Sequence, residues 1–491
     1  MFRGLLNAMR ACSVSGRLLP LATLLACLLP SVSLAASDAR LVEAVQQQDA
    51  AAVRALLKTP GIDVNARTGD GATALHWAAH RNALDIMDAL LTAGARPGLA
   101  NDYGVTPLSL ASVNGSAPAI ARLVTAGAQV NQPLPSGETP LMTAARVGRI
   151  DAVRALLTHG ADVNARESLK GQTALMWAIA ENHDDVAQLL VERKADVRAR
   201  SVSGFTPLLF AARMGDLPMV TFLLAAGADI NEEANDGSTP LLVATIRGHV
   251  DLAMFMLDRG ANANADKTGF TPLHWAVGKW ESQQTHDYPD IGGEWASLVG
   301  IKKGKAALIN ALVARGANVN QRLVKSPPRF GTGMFAQIKV IGGTPFWLAA
   351  LAADVEVMKL LVSKGANPLE KSDEGVTPLM VAAGVGRVAG DSLITEDESI
   401  AATQLAIELG GDVNAQADST GYTALHGVAF YGLDNVARLL VQRGADLTIK
   451  NKKGETPLKI AEGTVNQAML ISHPSTAEVL RKLAAEVAAS R

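Results

Sequence analysis

Two histidines four residues apart, His76 and His80, are the residues of this chain best placed to do metal chemistry. Four-residue spacing on a helix puts both imidazoles on one face, where they could bind zinc. A zinc hydrolase of this type also needs a glutamate after the first histidine, and a third ligand. His76 is followed by a tryptophan, and no third ligand is apparent. The pair therefore does not predict a metal site.

Two glycine-containing motifs offer other chemistry. Residues 390–393 read Gly-Asp-Ser-Leu, a tetrapeptide found in one class of serine hydrolases. It interrupts a helical pattern and no Asp-x-x-His follows it, so the serine has no predicted base. Gly384 and Gly386 follow a helix, whereas a phosphate-binding loop follows a strand. The sequence predicts no catalytic residue, no cofactor and no enzyme activity.

Composition narrows the class of protein further. The 491 residues carry a formal net charge of −2, so there is no basic excess to drive binding to nucleic acid. The two cysteines are Cys12 and Cys27, both in the first 35 residues. A chain that has lost this segment would have no disulfide, no thiolate nucleophile and no cysteine-based zinc site.

Residues 1–35 have the features of an export signal. Three arginines and no acid precede or border an apolar run at 18–29, and small residues, Ser33 and Ala35, stand where a signal peptidase cleaves. The sequence predicts cleavage after Ala35 and a periplasmic or secreted protein.

Two other fates of this segment stay open. Cys27 follows Leu-Leu-Ala, so a lipoprotein anchored at Cys27 is the minor alternative. A permanent membrane anchor is disfavoured because Pro20 and Pro30 interrupt a run already too short to span a bilayer. The expected product has no stable membrane insertion.

After this segment, one pattern dominates the chain. A threonine followed by proline or alanine and then an apolar residue recurs, mostly at intervals of 32 to 34 residues. A Gly-Ala element, as in the Gly-Ala-Asp-Val-Asn at 160–164, follows about 21 residues after the threonine. The threonines are Thr73, Thr106, Thr139, Thr173, Thr206, Thr239, Thr271, Thr344, Thr377, Thr423 and Thr456.

Each part of the unit predicts an element. Thr-Pro suits a helix start, because threonine caps and proline fits the first turn. A second helix follows with apolar residues at helical spacing, and a glycine then suits the left-handed position that ends it. An extended segment that turns at another glycine predicts a finger-like hairpin. The aromatic residues four after the threonine (Trp77, Trp177, Phe210 and Trp275) are predicted to be core.

Thr-Pro-Leu-His-Trp-Ala-Val at 271–277 and Thr-Ala-Leu-His-Trp-Ala-Ala at 73–79, which follow the pattern Thr-Pro-Leu-His-x-Ala-Ala, resemble the ankyrin repeat together with Gly-Ala-Asp-Val-Asn. The resemblance covers about 38–491 and implies an all-α fold. That fold would be an ankyrin-repeat solenoid of helix pairs with β-hairpin fingers, about 11 repeats plus terminal caps. The expected organisation is a signal peptide at 1–35, an N-terminal capping repeat at 36–67, regular repeats at 68–277, repeats with long insertions at 278–422, and C-terminal repeats with a capping helix at 423–491.

Three insertions break the rhythm, at about 279–304, 321–341 and 386–399. The first is rich in aromatic residues, the second has basic but no acidic residues from Arg322 to Lys339, and the third is acidic at Asp391–Glu398. Long loops of this kind are often functional. The insertions either form a recognition site or pack as braces, with the acidic run or an acidic partner facing the basic finger.

The resemblance implies a surface of finger tips and first-helix ends that binds a protein partner, and no nucleic acid. The alternative is a small-ligand-binding protein or enzyme with a site built by the insertions at 279–341 and 386–399. A monomer is expected. The predicted partner-binding residues are Tyr103, Arg146, Phe205, Arg213, Arg247, Phe270, Trp280, Tyr288, Trp295, Arg322, Lys325, Arg329 and Tyr431.

Overall fold

The computed structural model describes residues 31–279, 301, 303–326, 338–386, 394–466 and 469–490. In 31–38, 464–466, 469–471 and residue 490 it describes the backbone alone. Contacts divide the chain into two compact units, Met1–Ala111 with Arg122–Ala128, and Ser112–Ala121 with Gln129–Arg491. Each unit consists of short helices joined by turns, which confirms the predicted all-α fold.

The described helices are, in chain order, α1 Ser31–Gln46, α2 Ala50–Leu56, α3 Ala74–His80, α4 Leu84–Thr92, α5 Pro107–Asn114, α6 Ala117–Thr125, α7 Pro140–Arg146, α8 Ile150–Thr158, α9 Ala174–Ala180, α10 Asp184–Glu192, α11 Pro207–Met214, α12 Leu217–Ala225, α13 Pro240–Ile246, α14 Val250–Asp258, α15 Pro272–Val277, α16 Lys305–Ala314, α17 Pro345–Leu351, α18 Val355–Ser363, α19 Pro378–Ala382, α20 Glu396–Glu408, α21 Ala424–Tyr431, α22 Asp434–Gln442, α23 Pro457–Glu462 and α24 Pro474–Ser490. One antiparallel hairpin, β1 Thr464–Asn466 with β2 Met469–Ile471, precedes α24.

In the first unit, α1 and α2 pack on each other, and they contact α3 and α4 respectively. Leu41, Val42 and Val45 of α1 are buried, as expected of a capping helix pair. Helix α1 begins at Ser31, so it contains the predicted cleavage site after Ala35. Cleavage at that site stays a prediction.

In the second unit, each first helix from α7 to α21 packs on the first helix of the next repeat. The helices start as predicted: the Thr139 hydroxyl accepts a hydrogen bond from the amide of Met142 at 3.3 Å, and Pro140 occupies the first turn. Small residues allow the close packing, because Ala144 and Ala145 have no exposed surface. A larger side chain at either position would push neighbouring repeats apart.

The fingers are tighter than the predicted β-hairpins. In one of them, Leu134 donates to Glu138 O at 2.9 Å and Gly137 donates to Leu134 O at 2.8 Å, which leaves no room for a longer ladder. Gly137 has φ +82°, a left-handed conformation that glycine adopts without a Cβ penalty. Neighbouring fingers are also joined, since Ser168 donates to Ser136 O at 2.9 Å. Among the described residues, the paired strands β1 and β2 lie outside the fingers, between α23 and α24.

Asparagines that end the Gly-Ala-Asp-Val-Asn elements join one repeat to the next. The Asn231 side chain donates to Gly260 O at 3.2 Å and accepts from the Asn262 amide at 2.7 Å. It thereby satisfies a carbonyl at the end of α14 and the amide of the following turn. The same pair of bonds is made by Asn65, Asn131, Asn164, Asn264, Asn320 and Asn414.

Leu369 occupies this position in one repeat and cannot form the two bonds. Its side chain is 51% exposed and lies beside Gly410. We expect Leu369→Asn to raise the free energy of unfolding by about 1 kcal/mol, because it adds hydrogen bonds to Gly410 O and the Asp412 amide. The matched change Asn231→Leu should lower it by about 1 to 2 kcal/mol. Chemical denaturation of both variants tests this, and a destabilised Leu369→Asn protein would contradict it.

Candidate functional site

Tyr103 is presented at the tip of a finger of the first unit. Its side chain is 60% exposed. The Asn101 carboxamide accepts from the amides of Tyr103 at 3.1 Å and Val105 at 2.9 Å, so the turn is held by its own side chain. A large aromatic side chain on a rigid turn can bury area in a complex at low entropic cost.

Arg146, at the end of α7, belongs to a cluster that spans two repeats. Its guanidinium pairs with Glu138 at 3.0 Å and lies 5.2 Å from the ring centre of Trp177. The Trp177 indole nitrogen donates to Gln172 at 2.7 Å. Trp177 is therefore half-exposed beneath a cation, and is less buried than its predicted core role required.

Arg213 and Arg247 lie at the equivalent ends of α11 and α13, and both are half-exposed. The carbonyls of Arg213 and Arg146 are held by histidines whose role the sequence analysis did not predict. His249 donates through Nε2 to Arg213 O at 3.1 Å, and His183 donates to Arg146 O at 3.1 Å. The signal was a histidine immediately before the second helix of the repeat, at a constant distance from the threonine.

Three predicted contact residues are less accessible than the sequence suggested. Phe270 is only 5% exposed, because its ring packs against Trp275 with centroids 6.1 Å apart, so its assignment as a surface anchor is wrong. Phe205 is half-buried, with its ring edge-on to Phe210 at 5.8 Å. Tyr431 is half-buried beside Phe430. Phe210 and Trp275 are core residues, as predicted.

The lengthened finger is braced at its base. Leu323 exchanges bonds with the main chain of 342 and 343, and the Lys325 amide donates to Gly269 O at 3.1 Å. The Arg322 guanidinium pairs with Glu370 and, at 2.7 Å, with Asp373. Arg322 is thus already paired with carboxylates of the next finger, whereas 327–337 and 387–393 lie outside the described residues, so what faces the rest of the basic finger stays a prediction.

Part of the insertion at 386–399, which the sequence assigns to a loop, is helical. Its last residues form the first turn of α20, where the Glu398 side chain accepts from the Thr395 amide at 2.7 Å. Glu396 accepts from the Asn435 amide at 2.6 Å. Acidic residues are favourable at a helix N-terminus, so these carboxylates stabilise α20 rather than a loop.

First-helix ends differ along the second unit. The equivalent end of α17 is closed, since Leu351 and Ala352 are each 7% exposed. Ile338 and Val340, which return from the lengthened finger, are buried as well, and Ile338 lies against Gly386. At this helix-end position of the second unit, cationic side chains belong to the repeats that begin at Thr139, Thr206, Thr239 and Thr271.

Several predicted residues lie outside the described part of the chain. They are Trp280, Tyr288, Trp295 and Arg329; the Gly-Asp-Ser-Leu motif at 390–393, which was not predicted to be catalytic, also lies there. A recognition role for Trp280, Tyr288, Trp295 and Arg329 stays a prediction.

Three repeat histidines have a structural role. Nδ1 of His76 contacts the Thr73 amide at 3.0 Å and Nε2 contacts Val105 O at 3.0 Å, so both nitrogens are engaged. His274 and His426 make the equivalent bonds. Burial lowers the pKa of all three imidazoles, that of His274 to about 4. Within the described ranges, no cluster of three or more potential ligands could hold a metal ion.

Glu232 is the carboxylic acid with the largest pKa change among the described residues. Burial raises its pKa to about 7, although the Thr206 hydroxyl donates to it. The pKa rise comes from desolvation inside a finger. The hydrogen bond from the Thr206 hydroxyl to Glu232 stabilises this finger beside Phe205.

In the part of the chain that the structure describes, no helix is both long and apolar enough to cross a bilayer.

Comparison with known proteins agrees with this architecture. A model of three-copy ankyrin repeats matches residues 41–133, 120–201, 166–234 and 208–285, and a single-repeat model matches 342–373 and 420–452. The chain is 34% identical to human "Ankyrin repeat and KH domain-containing protein 1" over 123 residues, which are 25% of this chain and 4% of that protein. It is 38% identical over 93 residues to Xenopus tropicalis "Neurogenic locus notch homolog protein 1", covering 18% of this chain and 4% of that protein.

The matched segments span only 4% of those relatives' length. Ankyrin repeats generally mediate protein–protein interaction. With family matches over all of 41–285 and two later repeats, the chain belongs to the ankyrin-repeat family.

Proposed function

We propose that the protein is an exported ankyrin-repeat scaffold that binds a protein partner through finger tips and first-helix ends. The observation that carries this proposal is the cluster at Arg146, where a cation, an indole and a carboxylate from two repeats meet at a partly exposed surface. Arg213 and Arg247 repeat the cationic position in later repeats. Arginine and tryptophan are the residues that dominate binding energy at protein interfaces.

Export rests on residues 1–35, whose arginines, apolar run and small residues suit cleavage after Ala35. The proposed product is a monomer in the periplasm or outside the cell. The alternative of an enzyme or small-ligand site built by insertions gains no support from Arg322, Ile338 and Val340, which pack within the fold.

Site-specific photocrosslinking tests the partner surface. A benzoylphenylalanine placed at Tyr103 or Phe205 should give a covalent adduct with a protein of the native envelope fraction. The same probe at Arg193, an exposed residue at the end of α10, should not. Adducts at Arg193 alone, or at all three positions equally, would contradict the proposed surface.

A further inference from the structure

Three exposed apolar residues occupy the same position in consecutive fingers of the second unit. Each stands two residues before the glycine that turns the finger. They are Pro135, Leu169 and Val202, and we call them the apolar row. The Leu169 side chain is 75% exposed and that of Val202 is 67% exposed. One exposed apolar side chain is ordinary on a protein surface, whereas a row on adjoining fingers calls for an explanation.

The fold does not require apolar residues at this position. Later fingers of the same unit hold exposed polar residues there, namely Asn235, Lys267 and Asp373. The Val202 amide donates to Lys170 O of the previous finger at 2.7 Å. The Asn235 amide makes the same bond to Ser203 O at 3.1 Å. The fingers are therefore joined in the same way by apolar and by polar residues, and their main-chain contact does not explain the row.

A rigid turn supports the middle of the row. The Glu167 carboxylate accepts from the amides of Leu169 at 2.7 Å and Lys170 at 2.8 Å. Glu167 is only 6% exposed, so its charge is used inside its own turn. A side chain that is already held on an ordered turn loses little freedom when it binds a partner.

Cations surround the apolar row. The finger segments 131–138, 164–172 and 197–205 contain four cations and two acids, and the cations are Arg166, Lys170, Arg198 and Arg200. Both acids are engaged within the fold, since Glu138 pairs with an arginine and Glu167 binds main-chain amides. Arg198 and Arg200 donate to main-chain carbonyls, which carry no net charge to offset theirs. The surface beside the row is therefore positive.

Arg166 and Lys170 do not use their charge to join the repeats. At the position equivalent to Arg166 in a later repeat, the Gln416 side chain donates to Gly421 O at 3.0 Å and to Lys450 O of the next finger at 3.1 Å. Among the residues that the structure describes, the side chains of Arg166 and Lys170 make no hydrogen bond or ion pair. Both are exposed, so their donors are available to a ligand outside the chain.

The spacing of the row favours a helix as its ligand. Stacked helices are about 8 to 10 Å apart, and neighbouring fingers follow the same spacing. Seven residues of an α-helix rise about 10.5 Å and return to the same helix face. An extended chain covers that distance in about three residues, which places successive contacts on opposite faces of the strand. A helix can therefore offer an apolar residue to every finger, and a strand cannot.

We propose that the apolar row binds an amphipathic, acidic helix of a partner protein. Apolar residues of that helix, spaced about seven apart, lie against Pro135, Leu169 and Val202. Acids on the flank of the helix face Arg166 and Lys170, because opposite charges orient and select the partner. This inference rests on the proposed function and names the chemistry of the partner.

A labelled peptide, stapled on its outer face to hold it helical, tests the proposal by fluorescence anisotropy with the full chain. It has leucine at its first, fourth, eighth, eleventh and fifteenth residues, glutamates on both flanks and alanines elsewhere. Binding should be saturable and should weaken at least about tenfold in Leu169→Ser/Val202→Ser, which loses apolar contact area. Arg166→Glu/Lys170→Glu should weaken it about tenfold and reduce its dependence on salt.

Two variants are matched controls. Val324→Ser removes an apolar side chain that is 68% exposed on another finger. Arg193→Glu/Arg443→Glu reverses two charges at second-helix ends. Both controls should bind the peptide like the wild type. All four variants should keep the wild-type Tm, because the side chains that they change are exposed.

Two results would overturn the inference. One is no binding of the peptide, or equal loss in the test and control variants. The other is equal binding of a peptide of the same composition whose leucines are spread around the helix, since the row would then recognise no apolar face. If the peptide fails while crosslinks at Tyr103 and Phe205 persist, the scaffold function stands and only the acidic-helix inference falls.

Discussion

Trp347→Ala is expected to lower the free energy of unfolding by about 3 to 5 kcal/mol. Trp347 has no exposed surface, and its indole nitrogen donates to Val376 O at 2.9 Å, in the next finger. Truncation removes the largest core side chain of that repeat and leaves a buried carbonyl without its donor. Gly343 packs closely on the Trp347 ring, so truncation to alanine also removes the packing partner of this glycine.

Chemical denaturation followed by circular dichroism measures this loss. Repeat arrays can unfold in parts, so hydrogen exchange at 345–382 should report the same local weakening. Trp347→Phe is the control: it keeps most of the volume but loses the bond to Val376, and should cost about 1 to 2 kcal/mol. Trp177→Ala, at a half-exposed site, should cost less than Trp347→Ala. A loss below about 1 kcal/mol for Trp347→Ala would contradict the packing described.

Acidification is expected to destabilise the protein through His274. Its neutral Nδ1 accepts from the Thr271 amide at 3.1 Å, while Nε2 donates to Gln321 O at 2.9 Å. Protonation puts a hydrogen on Nδ1, so Nδ1 can no longer accept the hydrogen bond from the Thr271 amide. The pKa of His274 is about 4 in the folded protein, against 6.5 for an ordinary imidazole, so the unfolded chain binds the proton first.

Because the unfolded chain is protonated at a higher pH than the folded protein, acid favours unfolding. The stability that neutral His274 contributes is complete above pH 6.5 and falls as the pH drops towards 4. The loss at about pH 4.5 is on the order of 2 to 3 kcal/mol. His76 and His426 titrate in the same direction, since burial lowers the pKa of both.

The chain contains its own control for this prediction. Met142 occupies the equivalent position of another repeat, and its sulfur accepts from the Thr139 amide at 3.4 Å. His274→Met should therefore fold, with a small loss at pH 8 and a flatter decline between pH 6.5 and 4.5. Denaturation across this pH range compares the two proteins. Parallel stability profiles would show that His274 does not titrate as described.

Sequence alone determined the repeat and its elements. Thr-Pro steps, alanine pairs and terminal glycines act within a few residues, so the roles of Thr139, Ala144 and Gly137 follow from the repeating pattern itself. The insertions were located for the same reason, because they interrupt a regular spacing. The role of single finger residues was harder to predict, since Phe270 and Tyr103 are both finger aromatics, yet Phe270 is buried against Trp275 and Tyr103 is exposed.

Tertiary structure decided which charged and aromatic side chains are available. Arg322 stands in a stretch of sequence without acids, yet Glu370 and Asp373, about 50 residues later, hold its guanidinium. Glu398 belongs to an acidic run that the sequence assigns to a loop, yet it caps α20. The pairing of Arg322 depends on contacts between successive repeats. Repeat periodicity predicts that neighbouring repeats touch, but the contacts each side chain makes are set by three-dimensional packing.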